Sequence, residues 1–227
     1  MSNSRREEIL FLVNTKGAIS VHELAEKTFA SHSTIRRELE KLELQGLLRR
    51  YHGGAESVTG IYPPQIIRFN HNQEQKKIIG EKAAKLIAPG STIFIDASTT
   101  AQYMLPHLSS IKNLTVYTNG IDTAIRLGES NVRAICTGGE VFAQSMAYVG
   151  TVAIDTVQKI RFDAMFFSSA GFNETTISDW SEAETALRRI VIKQSQKRYF
   201  LADHTKQGKS YTHIICHVNE VDKIIGE

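Results

Sequence analysis

The 227-residue sequence predicts an α/β protein with two domains, a small N-terminal domain made mainly of helices and a larger domain built on a mostly parallel sheet. Two helical segments with N-cap signals lie close together behind a leading helix near the N-terminus. After residue 90, short apolar runs alternate with helical segments, and several of these runs are apolar throughout. Continuous apolar runs are typical of strands covered on both faces in a parallel sheet.

The composition is that of an ordinary globular protein, with 41% hydrophobic and 22% charged residues. The net charge of +3 is too small to identify a nucleic-acid partner. The first 55 residues contain nine Lys and Arg against seven Asp and Glu, so any DNA-binding signal has to come from the placement of the charges. The sequence has neither a signal-peptide core nor an apolar stretch of membrane-spanning length, and we expect a cytoplasmic protein.

The cysteines and histidines predict no metal centre. Cys136 and Cys216 lie inside apolar runs, and we expect both to be buried free thiols. His213 and His217 are four residues apart in a predicted strand, which separates them by roughly 13 Å and prevents them from sharing an ion. The sequence therefore predicts no metal, no disulfide and no cofactor.

Three short helices are predicted at the N-terminus. The first carries apolar residues at helical spacing: Ile9, Leu12 and Val13. Ser20 and Glu23 have the spacing of a capping box, and the second helix should run through Leu24, Ala25 and Phe29. Ser31 offers an N-cap to the third helix, and Gly46 should end it as a left-handed C-cap. Two capped helices this close together form a helix-turn-helix pattern.

The third helix carries polar side chains at its N-terminal end, which in a helix-turn-helix meets the base edges of DNA. These are Ser31, His32, Ser33, Thr34, Arg36 and Arg37. A solvated helix face is the alternative interpretation. A glycine turn with basic and aromatic neighbours follows, and it is typical of a β-wing that contacts phosphate. The wing residues are Arg49, Arg50, Tyr51 and His52.

We expect the winged helix-turn-helix to span residues 1–56, a linker residues 57–73, and the α/β domain residues 74–227. The linker contains Gly60, Pro63 and Pro64 and lacks clear periodicity, so it is predicted to be an extended connector. A helix is predicted over 73–88. Its apolar side is formed by Ile78, Ile79, Ala83, Leu86 and Ile87.

The strands of the larger domain are predicted at 92–95, 114–117, 132–136, 164–167, 199–202, 214–216 and 224–225. Small or polar residues follow five of them, at 96–100, 118–120, 137–139, 168–171 and 203–206. Ligands of open α/β sheets bind beyond the carboxyl ends of the strands. The five clusters are therefore predicted to converge on one ligand-binding rim.

Three hydroxyl side chains fall where a helix of this domain should begin: Ser98, Thr99 and Thr100. Backbone amides and hydroxyls at a helix start make a natural seat for phosphate, and simple N-capping is the alternative interpretation. Glu184 and Arg188 are four residues apart on a helix that should start near Ser181, and we expect them to form a surface ion pair.

The N-terminal segment resembles the DNA-binding module of the DeoR family of bacterial repressors. The matching stretches are 33–39, 44–48 and 52–55, and the likeness extends over 5–55. The family commonly has Asp where Glu38 stands.

The rest of the chain resembles the sensor domain of the same family, which is related in fold to ribose-5-phosphate isomerase. The family's motifs fall on Asp96, Thr99, Thr100, Thr118, Asn119, Gly138, Gly139, Asp179, Glu182, Glu184 and 202–206. The sequence departs from the family's usual residues at Gly120 and Gln207. The resemblance implies a repressor of a sugar or polyol catabolic operon that leaves its operator when a phosphorylated sugar or polyol binds. A ligand that acts as a co-repressor is the alternative.

The rim and the motifs together indicate a set of effector-binding residues. They are Asp96, Ser98, Thr99, Thr100, Asn119, Gly138, Gly139, Ser168, Gly171, Asp179, Glu184, Arg188 and Lys206.

Two other functions, an isomerase and an architectural DNA-binding protein, fit the sequence less well. An isomerase needs a carboxylate base, and the loop 168–172, where the related isomerases place acidic residues, contains none, so the sequence predicts a protein that is not an enzyme. An architectural DNA-binding protein would carry more positive charge and would leave the rim unexplained.

Helix-turn-helix proteins usually bind paired half-sites as dimers, so we expect a dimer or tetramer held together by the larger domain.

Overall fold

A computed structural model describes residues 2–44, 47–58 and 65–227. The chain divides into two compact units, Met1–His71 (unit 1) and Asn72–Glu227 (unit 2). Within the described ranges, no helix is both long enough and apolar enough to cross a membrane. The C-cap glycine and the glycine and prolines of the linker, predicted at 46, 60, 63 and 64, lie outside the described residues.

Unit 1 consists of a helical core and a small sheet. Its helices are α1 (Ser2–Lys16), α2 (Val21–Lys27), α3 (His32–Leu44) and α4 (Gln65–Asn70). Its strands are β1 (Ala18–Ser20), β2 (Arg49–Tyr51) and β3 (Gly54–Glu56), which form an antiparallel sheet in the order β1–β3–β2. Apolar side chains from all three leading helices form the core, among them Ile9, Leu24, Ile35 and Leu39.

The predicted helix starts are found, but the predicted end of the second helix is wrong. Ser20 Oγ accepts a hydrogen bond from Glu23 N at 3.1 Å, and Ser31 Oγ accepts one from Thr34 N at 3.3 Å. The prediction that α2 runs through Phe29 is wrong, because the helix ends at Lys27. Phe29 has a φ of 50° and is 96% exposed.

The extended connector was predicted wrongly over 65–70. This stretch is α4, and Ile67 on α4 is packed in the core of unit 1. The apolar residues of this six-residue helix are too few to show a period in the sequence.

Unit 2 is an α/β structure around a six-stranded sheet. In chain order its first elements are α5 (Gln73–Ala84), β4 (Thr92–Ile95), α6 (Thr99–Gln102), β5 (Thr115–Thr118), α7 (Ile121–Gly128), β6 (Arg133–Cys136), β7 (Glu140–Phe142) and β8 (Ala147–Val149). The later elements are α8 (Gly150–Val157), β9 (Phe162–Phe167), β10 (Gly171–Phe172), β11 (Thr176–Asp179), α9 (Glu182–Gln194), β12 (Ser195–Leu201), β13 (His213–His217) and β14 (Lys223–Ile225). Short 3-10 turns lie at Leu105–His107, Ala143–Ser145, His204–Lys206 and Val218–Glu220.

The main sheet has the order β14–β12–β9–β4–β5–β6, and all its pairings are parallel. β10, β11 and β13 form a separate antiparallel sheet, and β7 pairs with β8 as a hairpin. The predicted strand at 214–216 is therefore present, but its expected place in the parallel sheet is wrong. A single apolar run does not reveal the direction of the strand with which it pairs.

Alternating side chains of the central strands enter two separate cores, which explains the continuous apolar runs. Ile93 and Ile95 of β4 pack in one core with Ile79 of α5. Phe94 of the same strand packs in the other core with Leu187 of α9. The predicted apolar side of α5 is wrong at two positions, because α5 ends at Ala84 and both Ile78 and Leu86 are exposed.

The two cysteines differ in environment. Cys216 is buried, and this burial raises the pKa of its thiol to about 12. The expectation that Cys136 is buried is wrong, since it is exposed at the end of the edge strand β6. An edge strand is uncovered on one side, which its apolar sequence alone does not show.

Candidate functional site

The N-terminal end of α3 forms an exposed polar surface on unit 1. The exposed residues are Ser31, His32, Ser33, Arg36 and Arg37, and Thr34 is half-buried. Ser31 Oγ lies 3.0 Å from Ser33 Oγ and 2.9 Å from Thr34 Oγ1, so the three hydroxyls form one cluster at the helix start. The opposite face of α3 holds Ile35 and Leu39 in the core.

The wing is a β2–β3 hairpin whose turn contains His52 and Gly53. Arg49 is ion-paired with Glu56, and Arg50 Nε lies 3.1 Å from Glu43 Oε2. Both arginines are exposed, so their pairs are weak and can be exchanged for contacts with phosphate.

The helix and the wing border one cleft of about 650 Å³. Arg36 lines it from α3, and Arg50, Tyr51 and His52 line it from the wing. A Cβ atom at Gly54 would lie 2.4 Å from the Tyr51 hydroxyl oxygen and 2.5 Å from the Ile19 carbonyl oxygen. Glycine is therefore needed where the wing folds back on itself.

The five polar clusters of unit 2 follow β4, β5, β6, β9 and β12, which are all parallel neighbours in the main sheet. They consequently share one edge, as predicted. Contacts join several of them directly: Asn119 Oδ1 accepts a hydrogen bond from Ala97 N at 3.1 Å, and Asp96 Oδ2 accepts one from Ser168 N at 3.4 Å. Asn119 Nδ2 also donates to Tyr148 O at 3.2 Å.

Arg188 lies at the centre of a buried charge cluster. The predicted ion pair with Glu184 is present, but its predicted place on the surface is wrong. Arg188 Nε donates to Asp96 Oδ2 at 2.9 Å and Nη1 donates to Asp179 Oδ2 at 3.0 Å. Its Nη2 lies 3.5 Å from Glu184 Oε1, and Glu184 Oε2 accepts from Ser145 Oγ at 2.9 Å. Arg188 is 4% exposed, and each carboxylate is at most 2% exposed.

Two lysines lie at the start of α6. Lys76 Nζ donates to Thr99 Oγ1 at 3.2 Å, and Lys206 Nζ lies 3.5 Å from Thr100 Oγ1. Lys206 Nζ also donates to Ser168 Oγ at 2.6 Å and to the backbone oxygen of Ser169 at 2.8 Å. Lys76 is only 4% exposed although it carries an ammonium group.

Ser98 is the N-cap of α6, because its Oγ accepts a hydrogen bond from Ala101 N at 3.3 Å. Ser98 N in turn donates to Asp96 Oδ1 at 3.0 Å. The helix has only four residues, so its dipole is small and most of the positive charge at this place comes from the lysines.

Asp203 is a buried carboxylate beside the two lysines. Burial raises its pKa, but the charges of Lys206 and Lys76 and the hydrogen bonds from Thr205 outweigh this and lower the pKa below its usual value. Asp203 is therefore an anion that offsets positive charge at the rim.

The three predicted glycines have backbone roles. Gly138 and Gly139 have φ of 66° and 121°, a region that favours glycine, and a Cβ at Gly139 would lie 2.5 Å from Val149 O. A Cβ at Gly171 would lie 2.7 Å from Lys209 Cβ. The positive φ of Gly138 and the close contacts at Gly139 and Gly171 explain these glycines without a ligand.

The predicted set of effector-binding residues did not include Lys76, Asp203 or Ser145. For Lys76 a signal existed: with Ile79 and Ala83 it lies at the i, i+3, i+7 spacing of the buried face of α5. A lysine within an apolar stripe is unusual and indicates a specific partner. Asp203 lies in the predicted polar cluster 203–206, so its position at the rim was expected, whereas Ser145 carries no comparable signal.

Comparisons with known proteins give a consistent result. The family described as the DeoR-like helix-turn-helix domain matches residues 5–60, and the family described as the DeoR C terminal sensor domain matches residues 71–227. The uncharacterized HTH-type transcriptional regulator YgbI of Escherichia coli is 35% identical over 97% of this chain and 88% of its own length.

Two further relatives are named for regulatory roles. The HTH-type transcriptional regulator GolR of Listeria innocua is 35% identical over 97% of this chain and 89% of its own. The lactose phosphotransferase system repressor of Staphylococcus aureus is 33% identical over 98% of this chain and 91% of its own. These relatives confirm the prediction of a regulator and not of an enzyme.

A solved structure shows a similar fold. The translation initiation factor eIF-2B of Pyrococcus horikoshii has a TM-score of 0.53 at 11% identity, covering 100% of this chain and 89% of that one. Ribose 5 phosphate isomerase A of Neisseria gonorrhoeae has a TM-score of 0.45 at 15% identity, covering 60% of this chain and 53% of the isomerase, about half its length. The parallel sheet flanked by helices confirms the predicted α/β class.

Proposed function

The chain belongs to the DeoR family of transcription regulators, and from this premise we propose that it represses a sugar or polyol catabolic operon. In this proposal residues 1–56 bind the operator, and 74–227 bind a phosphorylated sugar that releases the operator. The segment between them includes α4, which packs in the core of unit 1. The name of the Staphylococcus aureus relative, which links repression to a lactose phosphotransferase system, supports a sugar-linked role.

The observation that carries the proposal is the pair of lysines at the threonine hydroxyls of α6. We call Lys76, Thr99, Thr100 and Lys206 the phosphate seat. Two ammonium groups and two hydroxyls are donors of the kind that bind a phosphate dianion. Binding of a neutral sugar would not offset the desolvation free energy of two neighbouring lysine ammonium groups in a largely buried place.

The sugar itself is assigned to the charge cluster beside the seat. Asp96 connects the two places. Its Oδ2 is paired with Arg188, and its Oδ1 accepts a hydrogen bond from Ser98 N at the start of α6. A carboxylate oxygen accepts more than one hydrogen bond, so Asp96, Asp179 and Glu184 are suited to accept sugar hydroxyls while they remain paired with Arg188. Asn119 and Ser168 border the same edge and complete the proposed site.

The proposal is tested by measuring operator affinity in the presence of ligands. An operator is first selected with the full chain from a library of random duplexes. Its affinity is then measured by fluorescence anisotropy against sugar phosphates and their unphosphorylated counterparts. We expect at least one sugar phosphate to weaken operator binding by about 5–150-fold, the usual range of coupling between sites. A sugar phosphate that tightens binding would identify a co-repressor, and no effect from any of them would contradict the proposal.

Arg36→Ala and Arg37→Ala are expected to weaken specific operator binding, each by about 1–3 kcal/mol, because a base or phosphate contact is lost. Both side chains are exposed at the front of α3, so the fold of unit 1 should be unchanged. Operator binding is measured by the same anisotropy assay. Arg133→Ala, which removes an exposed arginine from β6 of unit 2, is the control and should bind as the native chain does. Native affinity in both α3 variants would refute the assignment of the recognition helix.

We further propose a dimer or tetramer held by the sensor unit. Exposed apolar side chains on unit 2 support this, namely Ile125, Val141, Val152 and Ile214. Light scattering of the full chain should give a dimer or tetramer, and the fragment 74–227 should keep that state at micromolar concentration. A monomeric fragment beside an oligomeric full chain would place the interface elsewhere.

A further inference from the structure

The last residues of unit 1 are attached to its leading helix. Unit 1 ends at His71 and unit 2 begins at Asn72, so one peptide bond joins the units. The His71 ring stacks on Phe11 of α1, with the ring centroids 3.7 Å apart and the planes at 11°. Asn70 Nδ2 donates to Glu7 Oε1 of α1 at 3.3 Å. The two residues that precede Asn72 in the chain are therefore both in contact with α1.

In unit 2, Asn72 is attached to the loop that carries Lys206. Asn72 Nδ2 donates to Asp203 Oδ1 and to Thr205 Oγ1, each at 3.3 Å. Asn72 O accepts a hydrogen bond from Lys76 N at 3.1 Å, which begins α5. One residue therefore contacts both segments that supply the lysines of the phosphate seat.

The backbone of Asn72 is also unusual. Its φ of 55° and ψ of 43° are left-handed, a conformation that asparagine tolerates better than most other residues with a side chain. The side-chain contacts with Asp203 and Thr205 favour this conformation at the point where the chain passes from one unit to the other. If these contacts weaken, the backbone at the junction is free to relax.

A phosphate in the seat would lie close to Asp203, because Asp203 and Lys206 belong to the same turn and Lys206 N donates to Asp203 O at 3.1 Å. The positive charges of Lys206 and Lys76 also lower the pKa of the Asp203 carboxyl group. A dianion between the lysines draws Lys206 toward itself and repels the Asp203 carboxylate. Both effects disturb the hydrogen bond between Asp203 and Asn72.

We infer that Asn72 is the positioning residue through which occupancy of the phosphate seat changes the DNA-binding unit. The inference rests on the proposed phosphate seat. The inferred path begins at the phosphate seat and passes through the 203–206 loop to the Asn72 side chain. From Asn72 it continues along the chain to His71 and α4, which contact α1. Each step is a hydrogen bond, a ring contact or a covalent bond within the described residues.

The test uses amide hydrogen exchange of the full chain, with inorganic phosphate as the probe. In the native chain we expect phosphate to slow exchange in the seat, at 99–102 and 203–206, and to speed exchange of α4 by about fivefold or more, the lower end of coupling between linked sites. Asn72→Gly removes the side chain and its contacts with Asp203 and Thr205, while glycine still permits the left-handed backbone without strain. In this variant phosphate should still protect the seat, while its effect on α4 should be lost.

Asn113→Gly is the matched control, because Asn113 is an exposed asparagine with a φ of 57° elsewhere in unit 2. It should respond to phosphate as the native chain does. A native-sized change of α4 in Asn72→Gly would overturn the inference, and so would a native chain in which phosphate protects the seat but leaves α4 unchanged. If phosphate protects neither the seat nor α4 in the native chain, the phosphate seat itself is wrong and this inference fails with it.

Discussion

Replacing Arg188 with methionine is expected to lower the free energy of unfolding of unit 2 by about 3–5 kcal/mol, the usual cost of removing one partner from a buried ion pair. Asp96, Asp179 and Glu184 would keep their burial and lose the guanidinium that offsets their charges. The expected effect is large because these carboxylates come from three separate elements of the fold.

The measurement is urea denaturation followed by the fluorescence of Trp180, the single tryptophan of the chain, which directly follows Asp179. Arg189→Met is the control, because Arg189 is the exposed neighbour on α9 and its contact is with the Ile214 backbone oxygen. It should cost less than about 1 kcal/mol. Equal stability of the two variants would show that the cluster contributes little to folding.

Lys206→Met should weaken binding of an effector sugar phosphate by about 2–5 kcal/mol, or roughly 30-fold to several thousand-fold, because one partner of a largely desolvated charge pair is lost. The Lys206 side chain connects three polar clusters of the rim. It belongs to 203–206, it lies beside Thr100 in 96–100, and it donates to Ser168 Oγ and Ser169 O in 168–171. The measurement is isothermal titration calorimetry with the ligand that releases the operator.

Lys209→Met is the matched control for this experiment, since Lys209 is exposed and only three residues further along the chain. It should bind the ligand as the native chain does. If Lys206→Met keeps native affinity while Lys209→Met loses it, the phosphate lies outside the proposed seat.

The rim could be predicted from the sequence because parallel topology places the carboxyl ends of neighbouring strands at one edge. The apolar runs before Asp96 and Ser168 predicted strands, and their alternation with helical segments predicted that these strands are parallel. The same argument failed for 214–216, whose apolar run belongs to the antiparallel sheet. Burial is shared by both kinds of sheet, and only the pairing distinguishes them.

The partners of the charged residues could not be predicted. Glu184 and Arg188 have the i, i+4 spacing of a surface pair, and the sequence gives the same spacing whether their face is exposed or buried. Arg188 is paired with Asp96, which is 92 residues distant in sequence, and Glu184 accepts a hydrogen bond from Ser145. Lys76 was overlooked for a related reason, since its partner Thr99 lies on another helix.

The central claim is that the sensor unit recognises a phosphoryl group on a sugar. The most direct measurement is calorimetric titration of the native full chain with pairs of sugars that differ only in that group, each checked against the Lys206→Met variant. For at least one pair we expect the phosphorylated sugar to bind about tenfold or more tightly than its counterpart, with the advantage lost in the variant. Equal affinity of the phosphorylated and free sugar in every pair would contradict the account.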